Sequence, residues 1–365
     1  MKVLVVGAGP AGLYFSYLAK RRHPDWQIRV VEQNRADSTF GFGVVFSDRA
    51  LEFLRGDDPA TYDLITHRME TWSDITVVHR GMPVVIDGIG FAAIGRLKLL
   101  QLLQQQAASV GIVPEYERAI SFEPQGYDLI VAADGVNSTA RSWRNFGTSI
   151  SRLENRFVWY GTTRVFDTLT QTFVSNEDGT FNAHHYRHSP QMSTFVVECD
   201  PATWDRVAFA AMDEQQTMAY CEKVFAATLA GHRLVSNKSV WRNFPNLRNR
   251  KWSVDNLVLI GDALRTAHFS IGSGTRLAME DAIALARALH ESNDVEKALA
   301  SFEAARRPIV EKLVAAADAS GDWYERFPGH MKLEPREFAW SYIQRSGRID
   351  PERLRKISPR FVDGK

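Results

Sequence analysis

The alternation of apolar and polar residues at the start of the chain predicts a βαβ unit. Lys2 to Val6 is a short apolar run typical of a buried strand, Leu13 to Arg22 has a helical pattern, and Gln27 to Val31 predicts a second strand. A glycine-rich turn, Gly7 to Gly12, joins the first strand to the helix, and Glu32 follows the second strand directly. This order of elements is typical of a dinucleotide-binding site.

The residue types in this unit suit a dinucleotide for separate physical reasons. Gly7 allows a tight turn, Gly9 lets a pyrophosphate approach the backbone, and Gly12 lets the helix pack closely against the strand. The helix N-terminus supplies unpaired N–H donors and the positive end of a dipole. Glu32 is placed to accept hydrogen bonds from a ribose, and its charge disfavours a 2′-phosphate. The stretch therefore predicts FAD or NAD and does not choose between them.

Two later apolar strands also end at an acidic residue. Tyr127 to Ala133 runs into Asp134-Gly135, and Asn256 to Ile260 runs into Gly261-Asp262. Gly272 to Thr275 then opens a periodic helix, and such a glycine-rich helix start is another geometry that favours an anion. Helical patterns continue from there to about residue 326.

A different pattern predicts a second domain. Residues 157–198 contain antiparallel-strand patterns rich in aromatic residues and threonine, and helical periodicity returns at 213–230. We predict an α/β fold in which a Rossmann-like domain carries an inserted antiparallel-sheet substrate domain and C-terminal helices. The predicted boundaries are 1–70, 87–150 and 245–325 for the dinucleotide-binding domain, 71–86 and 151–244 for the substrate domain, and 326–365 for a polar tail with short helices at best.

Shorter stretches permit two interpretations. Gly41 to Phe46, with two glycines among aromatic residues, indicates either a backbone that passes close to a flat ligand or another strand, or a glycine-kinked strand. Arg96, at the entry of a leucine-rich helix, is either a solvated charge or a contact to an anionic cofactor. Ser47-Asp48 is a candidate cap for a helix that reaches Leu54, and residues 56–74 have the pattern of a polar excursion.

Composition narrows the function. Of the 365 residues, 45% are hydrophobic and 24% charged, and the net charge of +1 gives no electrostatic argument for nucleic acid or an acidic membrane surface. Two cysteines are too few for a disulfide framework or a cysteine zinc site. No apolar run has the length of a membrane span and no leader pattern precedes the first strand. We expect a cytoplasmic enzyme with no membrane or nucleic-acid partner.

The histidine-rich stretch His184 to His188 suggests a metal site, but its geometry argues against one. His184 and His185 point to opposite faces of a strand, and no carboxylate completes the set. We therefore predict no bound metal.

Three elements in register resemble one family. They are the N-terminal glycine turn with Glu32, Asp134-Gly135 followed by Ser138 and Arg141, and Gly261-Asp262 followed by Gly272-Ser273-Gly274. Together they resemble the FAD-dependent aromatic monooxygenases of the p-hydroxybenzoate hydroxylase type, and the resemblance spans the whole chain. It implies a bound FAD, with NAD(P)H and O2 as co-substrates.

The resemblance also implies cofactor contacts. The pyrophosphate would lie on the N-terminal turn, the ribose on Glu32, and the isoalloxazine near the second glycine-rich helix start, while Asp134-Gly135 would serve both FAD and the nicotinamide. The implied cofactor-binding residues are Gly7, Gly9, Pro10, Ala11, Gly12, Glu32, Gly43, Val44, Arg96, Asp134, Gly261, Asp262, Gly272, Gly274 and Thr275.

A subgroup of the family resembles the chain more closely. Trp159 to Thr162, Trp241 to Phe244 and His268 to Gly272 are similar to the flavin domains of salicylyl-CoA and anthraniloyl-CoA hydroxylases and to the tryptophan-derivative hydroxylase of violacein biosynthesis. The family usually has Gly-Asp-Ala-Ala-His where this chain has Gly261 to Arg265, and His268 replaces a common proline. Because of these departures the substrate stays open between an aromatic acyl thioester and an indole-derived compound.

The implied reaction is hydroxylation of an electron-rich aromatic ring through a flavin hydroperoxide. A histidine would help as an acid–base group, and His268 is the candidate catalytic residue, with a structural role as its alternative. Tyr160, Phe195 and Phe269 are candidates for the aromatic walls of the substrate pocket, with core packing as their alternative. A flavin reductase or desaturase, or a non-catalytic FAD-binding partner protein, is the alternative function. A halogenase would need a Trp-x-Trp-x-Ile-Pro stretch that the chain lacks.

Overall fold

The computed structural model describes residues 1–47 and 51–364. The predicted cap at Asp48 lies outside the described residues. The elements of the first 109 residues are β1 (Lys2–Val6), α1 (Pro10–Arg22), β2 (Gln27–Val31), β3 (Gly43–Ser47), α2 (Glu52–Asp57), α3 (Pro59–Thr66), β4 (Glu70–Trp72), β5 (Ile75–His79), β6 (Met82–Ile86), β7 (Phe91–Gly95) and α4 (Arg96–Ser109).

The middle of the chain is mainly strands, and the end is mainly helices. The middle elements are β8 (Leu129–Ala132), β9 (Thr148–Thr162), β10 (Leu169–Asn176), β11 (Gly179–Ser189), β12 (Met192–Cys199), α5 (Pro201–Val207), α6 (Glu214–Val224), α7 (Ala226–Leu229), β13 (Leu234–Val235), β14 (Arg242–Asn249), β15 (Ser253–Val254) and β16 (Leu257–Leu259). The last elements are α8 (Gly274–Glu291), α9 (Val295–Glu325), α10 (Phe327–His330), α11 (Pro335–Gln344), α12 (Pro351–Ile357) and α13 (Pro359–Asp363).

The predicted parallel sheet is present and forms the frame of the molecule. Its order is β15-β16-β8-β1-β2, and β2, β1, β8 and β16 are parallel. Strands that are covered by helices on both faces have continuous apolar sequences. The strands β1 and β8 fit this rule, because they are buried along almost their whole length. Helix α1 packs on α8 and α4. Gly12 permits the close approach of α1, because a side chain there would collide with the backbone carbonyl of Gly7.

A second, larger sheet stands beside this frame. Its order is β13-β9-β12-β11-β10-β5-β6, and β14 pairs with β9. Its pairs are antiparallel except for β10 and β5, which run parallel. Strand β10 was not foreseen from the sequence. The membership of β5 and β6 in this sheet supports the proposal that residues 71–86 and 151–244 form one substrate-binding unit.

Two regions differ from their sequence expectations. Residues 56–74, expected to be a polar excursion, contain α3 and β4, and β4 joins the small sheet β3-β7-β4. The expected polar tail does form only short helices, but it is not a loose appendage. Phe338 and Tyr342 on α11, with Phe361 on α13, are buried against the β5 side of the large sheet. Their spacing of four residues on α11 places Phe338 and Tyr342 on one helix face.

Among residues 1–47 and 51–364, no helix combines the length and the apolar character needed to cross a membrane.

Candidate functional site

A ligand-sized cavity of about 450 Å³ lies at the carboxyl ends of the frame's parallel strands. This is the edge where open α/β sheets bind their ligands. Residues from all three sequence motifs line it. The lining includes Gly7, Gly9, Pro10, Ala11, Glu32, Val44, Arg96, Asp134, Gly261, Asp262, Gly274 and Thr275. Twelve of the fifteen predicted cofactor residues therefore meet around one cavity.

The glycine turn presents backbone N–H groups to this cavity. Gly7 has φ of +101°, and a side chain there would also strike the backbone of Ala133 on the neighbouring strand. Gly9 caps α1 without any side-chain hydrogen bond, so the first N–H groups of the helix keep their donors free for a ligand. A Cβ on Gly9 would meet no protein atom within 4 Å. This open space is where a pyrophosphate would lie.

Glu32 is fixed by hydrogen bonds from its own surroundings. Its Oε2 accepts from the backbone N–H of Ala8 at 2.9 Å, and its Oε1 accepts from the backbone N–H and the side-chain amide of Asn34 at 2.9 and 2.7 Å. These donors hold the carboxylate in place at the wall of the cavity. Its remaining lone pairs can accept the hydroxyls of a ribose.

The second and third motifs are joined to each other. Arg141 donates from Nη1 to the carbonyl of Ala263 at 2.9 Å and from Nη2 to the carbonyl of Val136 at 2.7 Å. Ser138 caps the same turn by accepting the backbone N–H of Arg141 at 2.9 Å. These bonds bring the Asp134 and Asp262 loops together, although 128 residues separate them in the chain.

Two polar atoms of the cavity wall lack a partner among the described residues. They are Oδ1 of Asp134 and Nε of Arg96, and both are enclosed. Burial raises the pKa of Asp134 and of Asp262, and it lowers the pKa of Arg96, while the Asp262 charge opposes that lowering. Unpaired buried polar atoms are costly. Their arrangement around a glycine cradle fits a dinucleotide with hydroxyl and phosphate groups, and so fits FAD.

The departure from the family motif has a structural explanation. Arg265 is buried and pairs with the fully buried Asp281 on α8, at 2.5 Å from Nη1 to Oδ2 and 3.1 Å from Nη2 to Oδ1. The same carboxylate accepts the backbone N–H of Gly261 at 3.0 Å and contacts Arg306 of α9 at 3.3 Å. Arg265 thus ties the Gly261-Asp262 loop to the helices behind it.

A second, smaller cavity adjoins the first. Its volume is about 190 Å³, and it shares Val44, Arg96, Asp262, Gly274 and Thr275 with the larger one. Seven of its wall residues are aromatic, namely Phe91, Phe157, Trp159, Tyr186, Phe244, Phe269 and Tyr342. Phe157 and Phe269 pack with their ring centroids 4.8 Å apart. A planar aromatic ligand in this cavity would lie directly beside the cofactor position.

Two of the predicted substrate residues are on the wrong face of the sheet. Tyr160 and Phe195 are fully buried in a core cluster with α5 and α6, while their neighbours Trp159 and Val196 line the cavity. Successive side chains of a strand point to opposite faces, and both faces here are apolar. The sequence pattern therefore did not show which face is core and which is cavity. Phe269 does line the cavity.

His268 is buried behind Phe269 rather than in the cavity wall. Its Nδ1 shares a hydrogen bond of 2.8 Å with Ser270, which in turn contacts Ser320 at 2.7 Å. Burial lowers its pKa to about 4, partly opposed by the charge of Glu198. These contacts fit the structural alternative given for His268, and its catalytic role stays a prediction.

His184 is the histidine that lines the cavity. Its Nδ1 lies 3.0 Å from the side-chain amide of Gln171, another wall residue, and burial lowers its pKa to about 3. Its Nε2 is 3.8 Å from Oε2 of the buried Glu198, a carboxylate that the sequence analysis did not place here. His185 faces away and packs on Phe195, as the alternation predicted.

Three predicted cofactor glycines lie outside the lining of the larger cavity, namely Gly12, Gly43 and Gly272. Gly12 lies against Gly7 and Val5 instead. Gly43 lies outside the lining of both cavities, because its neighbours are His188 and Thr194 of the large sheet, where a side chain would collide. Of the two interpretations of this stretch, close approach to a strand is the one found at Gly43. Gly272 lines the smaller cavity, not the larger one, and it has φ of +62°.

Sequence reasoning missed several wall residues. In the larger cavity these are Asn34, Tyr116, Arg118 and Asn137, and in the smaller one Gln171, His184, Tyr342 and Arg345. None lies in a glycine-rich motif. The only available signal was the amphipathic spacing of residues 338 and 342 in the supposed tail.

Comparisons with known proteins show the family and the fold of the chain. A family model described as an FAD binding domain matches residues 127–317. The chain is 41% identical to a salicyloyl-CoA 5-hydroxylase from a Streptomyces species, over 95% of this chain and 70% of the relative. It is 35% identical to the protodeoxyviolaceinate monooxygenase of Chromobacterium violaceum, over 96% of each chain. A crystal structure of a 2-methyl-3-hydroxypyridine-5-carboxylic acid oxygenase mutant has the same fold, with a TM-score of 0.76, 17% identity, and coverage of 98% and 96%.

Proposed function

The chain belongs to the family of FAD-dependent aromatic monooxygenases, and from this membership we propose that it hydroxylates an aromatic ring carried as an acyl thioester. Its cofactor is FAD, with NAD(P)H and O2 as co-substrates. The single observation that supports a ring as the reacting group is the aromatic-walled cavity that shares five residues with the cofactor cavity.

The cavity volume limits what lies next to the cofactor. A protein cavity of ~150 Å³ holds one benzene molecule, so about 190 Å³ accommodates roughly one substituted ring. The remainder of any larger substrate must extend out of the cavity. An aryl thioester meets this requirement, because its acyl ring is compact and its carrier is long. The similarity to a salicyloyl-CoA 5-hydroxylase supports the same substrate class.

We assign the following roles to the residues present. The twelve predicted residues that line the larger cavity would hold FAD, with the α1 N-terminus available to the pyrophosphate and Glu32 to the ribose. Bound FAD would supply the hydride-accepting and oxygen-activating chemistry of the reaction. Phe157, Trp159 and Phe269 orient the ring and exclude water, which favours transfer over loss of the activated oxygen.

Polar wall residues set the orientation of the ring. Gln171 and His184 are polar residues of the strand face, and Arg345 is a cation of the same cavity wall supplied by the C-terminal segment. A hydroxyl or amine on the ring can hydrogen-bond to the first two, and a carbonyl can accept from the arginine. His184 stays neutral at physiological pH, because burial lowers its pKa to about 3. It therefore acts as a hydrogen-bonding group rather than a cation.

A product screen tests this proposal. The FAD-loaded protein is incubated with O2 and either nicotinamide, and with salicylyl- and anthraniloyl-type thioesters, the matching free acids, and indoles. We expect substrate-stimulated NAD(P)H oxidation and a mass increase of one oxygen atom in a thioester product. Oxygen insertion into the free acids alone would exclude the thioester class. No oxygen insertion into any aromatic compound would contradict the proposal and favour a flavin reductase or desaturase, or a non-catalytic FAD-binding protein.

A second candidate substrate is an aromatic compound of the protodeoxyviolaceinate type. The similarity to the Chromobacterium violaceum enzyme covers 96% of both chains, whereas the Streptomyces relative extends beyond the matched region. The same screen separates the two, because only one of them depends on a thioester.

A further inference from the structure

We propose that four arginines, Arg276, Arg345, Arg348 and Arg353, form an anion-binding rim beside the smaller cavity, and that this rim binds the phosphates of a coenzyme A thioester. We name this group the arginine rim. The smaller cavity, which would hold the aromatic ring, is called the ring cavity below. The inference rests on the proposed thioester function and deepens it, because it assigns residues to the part of the substrate that the ring cavity cannot hold.

The rim starts inside the ring cavity, at Arg345. Its guanidinium stacks on Tyr342 at 3.9 Å from the ring centroid, and it donates to the carbonyls of Tyr342 and Ser270, both at 2.9 Å. Its Nε is enclosed and lacks a partner among the described residues. The side chain is thus held in a fixed pose at the cavity wall, with one donor left for a ligand.

The other members come from two separate elements next to the cavity. Arg276 follows Thr275, a wall residue, on the first turn of α8, and Arg348 lies three residues beyond Arg345. Arg353 donates to the backbone carbonyl of Arg348 at 3.4 Å. Partial burial lowers the pKa of Arg348, and the nearby charges of Arg276 and Arg353 lower it further. The positive charges of Arg276, Arg348 and Arg353 therefore lie near one another.

The local carboxylates leave this charge largely uncompensated. Arg276 pairs with Glu280 at 2.7 Å, but Glu280 is shared with Arg306. In the same segment, Asp350 accepts the backbone N–H of Arg353, and Glu352 pairs with Lys356. Within the described residues, Arg345, Arg348 and Arg353 have no ion-pair partner.

Mutual repulsion of clustered arginines is relieved when an anion binds between them. Guanidinium groups bind phosphates through paired N–H donors, and such charge-assisted bonds are stronger than neutral ones. Coenzyme A carries its phosphates at the far end of a long flexible arm. With the acyl ring in the 190 Å³ cavity, that arm has to leave past the wall. Arg345 lies in that wall, and Arg276 directly follows another wall residue, Thr275.

The test uses free coenzyme A and pantetheine as probes on the FAD-loaded protein, measured by calorimetry without turnover. Pantetheine keeps the thiol arm and lacks the phosphates. We expect coenzyme A to bind more tightly than pantetheine, and only coenzyme A binding to weaken as salt is raised. The double variant Arg348→Ala/Arg353→Ala should lose roughly tenfold in coenzyme A affinity, the order expected for one lost charge-assisted contact, and nothing in pantetheine affinity.

Arg355→Ala is the matched control, because Arg355 is exposed on the same helix α12 and has no ion pair among the described residues. Equal affinities for the two probes, or equal effects of the double variant and the control, would overturn the proposal. Acceptance of the thioester only from a carrier protein, with no binding of coenzyme A, would overturn it too.

The outcome is separable from that of the product screen. Binding of coenzyme A that depends on Arg348 and Arg353 supports the rim even if no thioester is hydroxylated. Hydroxylation of thioesters with salt-independent, phosphate-independent binding supports the proposed function and overturns the rim.

Discussion

Replacing Asp281 by asparagine tests whether the buried charge network stabilises the loop that carries Asp262. Asp281 is fully buried, and its partners Arg265 and Arg306 are more than nine-tenths buried. The asparagine keeps the side-chain volume and can still accept one N–H, so the change removes mainly the charge. Arg306 keeps its contact with Glu280 at 2.9 Å, but Arg265 is left as a buried cation without a counter-ion.

The expected loss follows from this geometry. Removing one partner of a buried ion pair costs about 3–5 kcal/mol, because the remaining charge stays desolvated. For 365 residues, roughly 1.3 °C of melting temperature is lost per kcal/mol, because the unfolding entropy is about 2.1 cal/mol/K per residue. We therefore expect Asp281→Asn to melt roughly 4–7 °C below the wild type. The measurement is made in saturating FAD, by circular dichroism and by the fluorescence of released flavin.

Asp318→Asn is the matched control. Asp318 also pairs with an arginine, Arg248, through two contacts of 2.6 and 2.8 Å, but its side chain is 40% exposed. An exposed pair contributes about 0–1 kcal/mol, so the control should melt within ~2 °C of the wild type. Adding Arg265→Met to Asp281→Asn should recover part of the loss, because it removes the unpaired cation. Equal melting temperatures for the two single variants would refute the reasoning.

Three further predictions concern the cavities and the buried histidine. Gly9→Val should fold but release FAD on gel filtration, because its side chain would fill the pyrophosphate space, whereas Gly329→Val, on an exposed helix position, should stay yellow. Trp159→Ala should raise the KM for the aromatic substrate and uncouple NAD(P)H oxidation from product, while Tyr160→Phe, on the opposite face, should leave both unchanged. His184→Gln should flatten the acid limb of the stability profile. The native pKa of His184 is about 3, below its unfolded value of ~6.5. As pH falls through that interval, the unfolded state binds a proton that the folded state does not, so the free energy of unfolding decreases by up to ~1.4 kcal/mol per pH unit. Urea unfolding between pH 4 and 7 measures this slope, and an unchanged slope in the variant would contradict the assignment.

The cofactor half of the site could be predicted because its signals are local. Gly7, Gly9 and Glu32 are specified within one βαβ unit, by a turn that needs positive φ and by a strand end that places a carboxylate. Asp134 and Asp262 follow buried strands of the same sheet, so the parallel topology brings them to the same edge. Arg265 was the exception, since its partner Asp281 is sixteen residues away on another element.

The substrate half could be predicted only in part. Apolar residues occupy both faces of strand β9, with Trp159 facing the cavity and Tyr160 facing the core. Such a pattern does not show which face lines a cavity. The role of Arg345 depends on how α11 packs on the large sheet. The spacing of Phe338 and Tyr342 indicates an apolar helix face, but it does not reveal which surface that face packs on.

This division also explains why family membership gives the reaction but not the substrate. We propose that residues of the frame hold FAD, and relatives matched over nearly the whole chain have different named substrates. The smaller cavity shares part of that frame, but three other pieces complete its wall: the β9–β11 face, the segment around Phe244, and the C-terminal residues Tyr342 and Arg345. None of these three pieces lines the larger cavity, although Trp159 of β9 lies under the guanidinium of Arg96. Substrate choice in this chain should therefore follow the C-terminal segment, and exchanging residues 335–357 with those of a relative should change thioester preference while FAD binding is retained.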